Sequence, residues 1–381
     1  MTPHVPTLDT MHATPPSVGS EKLNVTVFPT SVWPDIAPVW RDLVRTSKCS
    51  VFLTAEWIEA WLEVFGRDLC PKILMFRSDQ EPVGICLLVR NRAGLVPVKR
   101  IWLNAAGEPS EDTTYIEYNN VVARAGWETP VSEAAAKYIE RETWDELFLT
   151  GFANGTTYDI LKNSVGAARL TEKHHPTHYV DLAAIRKAGV SYVNFLTGKS
   201  GKHLRENLRY YAASGTLAIK SAQDVPEALA MLDELAELSR KRWAEAARRS
   251  IFCSSRFVAF HRLLIGKCFD LGRIQLMRVT AGEQVIGVVY NLVHLRKVCF
   301  YQCGYSYSAE KRLSPGRATL ALVIQQCLNA GYDDFDFLSG ESKYKESMAT
   351  GSRSMVWATL SRGGVKLRVL DALRRIVRGQ Q

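Results

Sequence analysis

The feature that most constrains this chain is an internal repeat. The segment Phe52-Leu-Thr-Ala-Glu-Trp57-Ile-Glu-Ala-Trp61 has a counterpart in Phe252-Cys-Ser-Ser-Arg-Phe257-Val-Ala-Phe260-His261, 252 − 52 = 200 positions further on. Leu74-Met75 and Val83-Gly84 return as Leu276-Met277 and Ile286-Gly287, at offsets of 202 and 203. Phe148-Leu149-Thr150-Gly151 returns as Phe337-Leu338-Ser339-Gly340, at 337 − 148 = 189. The order is the same in both halves, and the offset drifts as loop insertions would make it. A long-period repeat implies a duplicated structural unit. A chain of 381 residues suits two such units better than one.

Each half reads helix, strand, turn, strand, strand, helix, strand. In the second half, β-branched runs at 274–279 and 285–293 flank the turn residues Ala281-Gly282-Glu283. A third strand is expected at 298–301. Apolar residues at Leu320, Val323, Ile324 and Cys327 predict a helix over 318–330, ended by Gly331, and 334–338 reads as a strand again. Between the halves, Lys199, Lys202, Arg205 and Arg209 fall on one helical face within 195–214, a basic face that suits solvent or an anionic ligand.

Composition excludes several classes. At 46% hydrophobic and 10% aromatic the chain has material for real cores, and no apolar run approaches the roughly 20 residues of a membrane-spanning helix. Residues 1–20 lack a basic start and an apolar stretch and carry four prolines, so they read as a disordered tail and not a signal peptide. The eight cysteines form no C-x-x-C pair and have no zinc spacing, which predicts reduced thiols, no metal and a cytoplasmic protein. The net charge of +9 is spread out, with clusters at 199–209, 240–249 and 365–378, and no specific nucleic-acid motif accompanies it.

The informative stretch is 301–345. Tyr301-Gln-Cys-Gly304-Tyr305 ends a strand, and Arg312-Leu-Ser314-Pro315-Gly316-Arg317-Ala318 opens a helix. A Pro-Gly turn at a helix start lets backbone approach a ligand, and the free N–H groups there suit a pyrophosphate. Further on, Asp336 stands between two aromatics in a strand, where a charge is disfavoured unless partnered. The repeat aligns it with the apolar Leu147, and the first half has no Ser-Pro-Gly turn, so both special features occur only in the second copy.

These residues carry a family resemblance. Residues 198–345 resemble the CelD/FemAB-like acetyltransferases of the GNAT superfamily. The resemblance runs through Lys202-x-x-Arg205-x-x-x-Arg209, Arg242-Trp243, Phe252, Phe260-His261, Tyr301-x-x-Gly304-Tyr305, Leu313-Ser314-Pro315-Gly316 and Asp336-Phe337-x-x-Gly340-x-x-x-Tyr344-Lys345. The first half is similar more loosely, through Phe52, Trp57 and Trp61. At the family's phosphate loop, Leu313-x-x-Gly316-x-Ala318 keeps the small residues but starts with Leu.

The resemblance implies an α/β (α+β) fold of two tandem GNAT-like domains, each a mixed, mostly antiparallel twisted sheet flanked by helices. The domains are expected at 21–185, with a degenerate cofactor site, and at 186–364. It implies an acetyl-CoA or other acyl-CoA donor held between two splayed strands, by Tyr301, Gly304, Arg312, Ser314, Gly316, Arg317 and Ala318. Asp336 is the expected base or acceptor-orienting group, Tyr344 the acid, and Lys345 a further catalytic or binding group. Lys202, Arg205, Arg209, Arg242, Trp243 and Trp57 are expected to bind a small-molecule, saccharide or cell-envelope polysaccharide precursor that bears an amine. Two rival functions are an aminoacyl-tRNA-dependent peptidyltransferase like the FemABX proteins and a non-catalytic scaffold in polysaccharide biosynthesis. Residues 365–381 form a basic amphipathic pattern that suits peripheral contact with an anionic membrane at its inner face.

Overall fold

The computed structural model describes residues 23–93, 97–307, 313–340, 342–364 and 366–367. The expected tail at 1–20 and nearly all of the amphipathic pattern at 365–381 lie outside the described residues.

The repeat is visible in the order of elements. The first half runs β1 (Asn24–Pro29), α1 (Trp33–Arg45), α2 (Ala55–Leu69), β2 (Lys72–Ser78), β3 (Glu81–Ala93), β4 (Val98–Leu103), the two-residue β5 (Val122–Ala123), α3 (Glu128–Arg141), β6 (Glu146–Ala153), α4 (Thr156–Ser164) and β7 (Arg169–Asp181). Three connecting helices follow, α5 (Leu182–Ala188), α6 (Tyr192–Phe195) and α7 (Gly198–Ser214). The second half repeats the plan as β8 (Leu217–Ser221), α8 (Val225–Glu245), α9 (Ser255–Cys268), β9 (Ile274–Ala281), β10 (Gln284–His294), β11 (Lys297–Tyr305), α10 (Pro315–Asn329), β12 (Asp334–Ser339), α11 (Lys343–Met348) and β13 (Gly351–Ser361). The strands and helix expected between 274 and 338 all form.

The strands make one mixed, mostly antiparallel sheet in the order β1-β2-β3-β4-β6-β13-β7-β12-β11-β10-β9-β8, with β5 on β3. Only β4–β6 and β11–β12 pair in parallel among the named strands. Each parallel pair holds over three residues and then splays. At the centre the halves exchange strands. β13, from the end of the second half, lies between β6 and β7, and β7, from the end of the first half, lies against β12. A boundary at 185 therefore separates the repeats in sequence but does not divide the sheet.

Helices α1, α2, α8 and α9 cover one face and share a single core. The aromatics that revealed the repeat meet there: the Trp57 ring lies 4.9 Å from Phe260 and 5.9 Å from Tyr301, in edge-to-face contacts. Trp57, Phe257 and His261 are wholly buried, and burial lowers the His261 pKa to about 3. On the other face α3 and α4 cover the first half, and α5, α6, α7 and α10 cover the second. Among the described residues no helix is long and apolar enough to cross a membrane, and no group of His, Cys, Asp and Glu is placed to hold a metal. The eight cysteines form no disulfide.

Candidate active site

Register fixes what Asp336 corresponds to. Arg100, Ile101 and Trp102 pair with Glu146, Leu147 and Phe148, while Lys297, Val298 and Cys299 pair with Asp334, Phe335 and Asp336. The offset is 334 − 146 = 188, one less than the sequence alignment gave. The sister of Asp336 is thus Phe148, not Leu147. Phe148 stacks on Trp102 at 4.9 Å, so the asymmetry between copies survives the correction.

Asp336 is fully buried and fully partnered. It accepts hydrogen bonds from Tyr118 Oη, from Lys297 Nζ at 2.7 Å, from Arg353 Nη1 at 3.1 Å and from the Leu338 N–H at 2.7 Å. The last bond bridges two residues along the strand and holds a bulge in which Leu338 has φ +57°. Burial disfavours the Lys297 ammonium, yet Asp336 holds its pKa above the usual lysine value. Asp336 is a structural knot at the apex of the β11–β12 splay, and it does not line the cavity described below.

The group that sequence reasoning missed is Glu117. It sits on the long segment 104–121 between β4 and β5, which leaves the first half and enters the second. Thr114 O accepts from Tyr301 Oη, Asp112 Oδ1 from Ser254 Oγ at 2.6 Å, and Glu117 itself accepts from the Ser339 N–H at 2.8 Å and from Ser339 Oγ at 2.9 Å. Glu117 is 6% exposed. Burial, reinforced by the charge of Asp336, outweighs those bonds and the pull of Lys345 and pushes its pKa up to about 7. Asn104, Tyr115 and Tyr118 all adopt positive φ in this segment, and such strain concentrates where a site must be held in place.

Glu117 and Ser339 border a cavity of about 290 Å3, with Trp102, Glu108, Tyr115 and Trp357 among its other walls. The Glu108 pKa is also raised by burial, against hydrogen bonds from the Thr114 N–H at 2.7 Å and Thr114 Oγ1 at 2.9 Å. Lys345 Nζ donates to Ser339 O at 2.8 Å, on the same strand end that Glu117 grips, and burial lowers its pKa. Tyr344 packs against the core of the second half, and its pKa is raised by burial and then by Cys303 and Tyr307. Of the three expected catalytic residues, Lys345 thus stands at Glu117, Asp336 supports the strand beneath it, and Tyr344 faces the end of β11.

Of the expected donor residues, Ser314, Gly316, Arg317 and Ala318 stand at the start of α10, whereas Tyr301 belongs to the core on the other face of the sheet. Ser314 is its N-cap but places no side-chain bond on the first turn, leaving the N–H groups of Gly316 and Arg317 available. Asn207 of α7 brackets the Ser314 peptide, donating to its O at 2.8 Å and accepting from its N–H at 3.0 Å. A Cβ on Gly316 would stand 3.0 Å from the Tyr305 ring, and one on Gly304 would stand 2.6 Å from Leu235 O. Gly304 is therefore required by the close approach of α8 to β11. Ala318 and Tyr301 are buried core, and Arg312 lies outside the described residues.

None of the six expected acceptor residues lines the Glu117 cavity. Trp57 is wholly buried. Arg205 folds back onto Val193 O at 3.1 Å, while Lys202 and Arg209 are exposed on α7, beside α10. Arg242 stacks over Tyr307 at 4.4 Å and Arg248 over Trp243 at 4.8 Å, at the far end of α8. The basic face therefore belongs to the α10 side.

In the first half the corresponding splay is closed by the chain itself. Asn119 bridges to Phe152, donates from its backbone to Gly151 O at 2.9 Å and is held by Asn104 Nδ2 at 2.7 Å. A Cβ on Gly151 would come within 2.4 Å of Ile116 O.

Residues 198–346 match the family model of the acetyltransferase (GNAT) domain. The match covers α7 to α11 and so includes the α10 start, β11, β12 and Lys345, but not Glu117. A comparison with curated proteins finds no match. Among solved structures the chain is similar to FemX, with a TM-score of 0.56 and 10% identity over 84% of this chain and 95% of that one. It is also similar to a C-terminal domain (DUF2156) ascribed to a lysylphosphatidylglycerol synthetase of Agrobacterium fabrum, with a TM-score of 0.53 and 11% identity over 90% and 96%. At these identities the likeness is one of fold.

Proposed function

We propose that the protein is an acyltransferase that moves an acyl group from a coenzyme A thioester to an amine at the seam between its halves. The observation that carries this reading is Glu117, a buried carboxylate with a pKa of about 7 that grips the end of β12, where a GNAT-matched splay opens. A base is most effective when its pKa lies near the working pH.

The α10 start would hold the donor's phosphates through the Gly316 and Arg317 N–H groups and the Arg317 side chain. The donor supplies an activated acyl carbonyl and a thiolate leaving group. Glu117 accepts the proton that an ammonium must shed before it can attack, and the cavity wall keeps that amine against Ser339. The C–N bond forms as the C–S bond breaks, and Tyr344, on the β11 side, would protonate the sulfur and be reprotonated by the second proton that the nitrogen sheds. Lys345, bound to the Ser339 carbonyl, keeps the strand end in place and adds positive potential where negative charge develops.

Purified protein is assayed for acetyl-CoA binding by calorimetry and for amine-dependent release of the CoA thiol. Binding in the micromolar range with amine-dependent release supports the proposal. Absence of both, together with transfer from an aminoacyl-tRNA, overturns it in favour of the peptidyltransferase reading. Absence of all three favours a scaffold.

A further inference from the structure

The cavity beside Glu117 carries information about the acceptor that the base alone does not. Its charge is unbalanced. Glu108 and Glu117 both face it, and among the described residues neither has an ion-pair partner within 4.0 Å. Among the described residues no Lys or Arg lines its walls. Lys345 pulls on Glu117 from its seat on the Ser339 carbonyl, but two carboxylates withdrawn from water with only that one cation behind them are costly, and a ligand that brings a positive charge relieves that cost. A phosphorylated or carboxylated acceptor would be repelled.

Its shape is set by flat rings. Trp102 is clamped between Phe148, stacked at 4.9 Å, and the Gly107 backbone, where a Cβ would reach 3.0 Å from the indole. Trp357 is held edge-on by His175 at 5.2 Å. Tyr115, 50% exposed and at φ +50°, stands at the cavity wall. Thr113, Thr150 and Ser339 also line it, the first bonded to Glu108 and the last to Glu117. Aromatic planes receive the C–H faces of a saturated ring and attract a nearby cation, while the hydroxyls and carboxylates can bond to ring hydroxyls and to an ammonium. A volume of about 290 Å3 is enough for one such ring and too small for a chain of them.

We propose that this cavity binds an amino sugar, a single pyranose ring carrying a free primary amine, with the amine between Glu108 and Glu117. The fate of that amine rests on the acyl-transfer reading above, whereas the binding does not. If that reading holds, the ammonium gives one proton to Glu117, the freed nitrogen bonds the acyl carbon as the C–S bond breaks, and the nitrogen's second proton passes to the leaving thiolate.

The test is calorimetry on the full chain at pH 7, where most of the amino sugar is ammonium, without acyl donor, using D-glucosamine, D-glucose and butylamine as probes. Glucosamine is expected to bind at least about tenfold tighter than either of the others, because only it engages both the rings and the carboxylates. Glu108→Gln is expected to weaken glucosamine about tenfold, the usual scale of a charge-assisted bond, and to leave glucose unchanged. Should that variant fail to fold, Tyr115→Asn, which tolerates the positive φ, is expected to weaken glucosamine and glucose together. Binding at pH 7 is expected to release protons, seen as a buffer-dependent enthalpy, because an ammonium favours the ionised carboxylates. Glucose binding as tightly as glucosamine would overturn the charge argument, and butylamine binding as tightly would overturn the sugar. If none of the probes binds, the proposal is overturned. Glucosamine binding as expected with no CoA release would instead sink the transfer reading and leave this one standing.

Discussion

Replacing Glu117 by Gln separates the two roles of this carboxylate. In the unfolded chain it titrates near the reference value of 4.5, and in the folded protein at about 7. Because the folded value is raised, the group stabilises the fold only while protonated. That contribution is complete below pH 4.5 and is lost as the pH rises through 7. The difference is about 2.5 units at about 1.4 kcal/mol each, so ionised Glu117 burdens the fold by about 3 kcal/mol at pH 8.5. Gln keeps the shape, its carbonyl can still accept from the Ser339 N–H, and the Ser339 hydroxyl can turn to accept from the amide. Glu117→Gln is thus expected to melt roughly 5 °C higher than wild type at pH 8.5 and equally at pH 4. It is also expected to lose about 100-fold or more in turnover, the scale of general base work. In the wild type, kcat/KM is expected to rise with pH to a plateau above about 7. Differential scanning calorimetry at the two pH values and a thiol-release assay measure all three. A variant destabilised equally at every pH would refute the burial argument, and a variant with unchanged turnover and pH profile would refute the base.

Asp336→Asn leaves Lys297 and Arg353 without their shared carboxylate; breaking such a buried pair should cost about 3 kcal/mol, visible as a lower denaturation midpoint in urea, before any effect on turnover is read. This places its loss on the fold, where the sequence pointed to chemistry. Gly316→Asp puts a carboxylate at the start of α10 and against the Tyr305 ring, so acetyl-CoA affinity should fall about tenfold or more, and equal affinity by calorimetry would move the donor site elsewhere. Deleting 365–381 should abolish co-sedimentation with anionic vesicles at low salt, since each basic residue near such a surface contributes about 1 kcal/mol; an intact chain that does not sediment removes the membrane role.

The sequence carried much of the fold and only part of the site. Repeats and apolar periodicity report packing, and the shared core of Trp57, Phe257 and Phe260 was legible because both copies must fill the same space. The α10 start was legible as a helix start because Ser before Pro-Gly marks one. Asp336 was visible as an anomaly, but a buried charge announces only that it has partners. Lys297, Tyr118 and Arg353 are scattered over 118–353 and meet only through the sheet. Glu117 left no trace because segment 104–121 has neither period nor counterpart in the other half. Its neighbours are chosen by tertiary contact with Ser339, more than 200 positions away.

The exchange of β7 and β13 bears on the order in which the chain leaves the ribosome. Glu146 pairs with Ser361, 361 − 146 = 215 residues later. Until that segment emerges, β6 presents an unpaired edge with the sequence Glu-Leu-Phe-Leu-Thr-Gly-Phe-Ala, and pairings at such a distance in sequence form slowly. The first repeat therefore cannot complete its sheet as a nascent domain, although it resembles one. Chains stopped after α4 or α7 would carry an open, apolar strand of the kind that recruits other chains. Two copies of one plan are thus expected to complete their sheet only together, because each closes on a strand that the other half supplies.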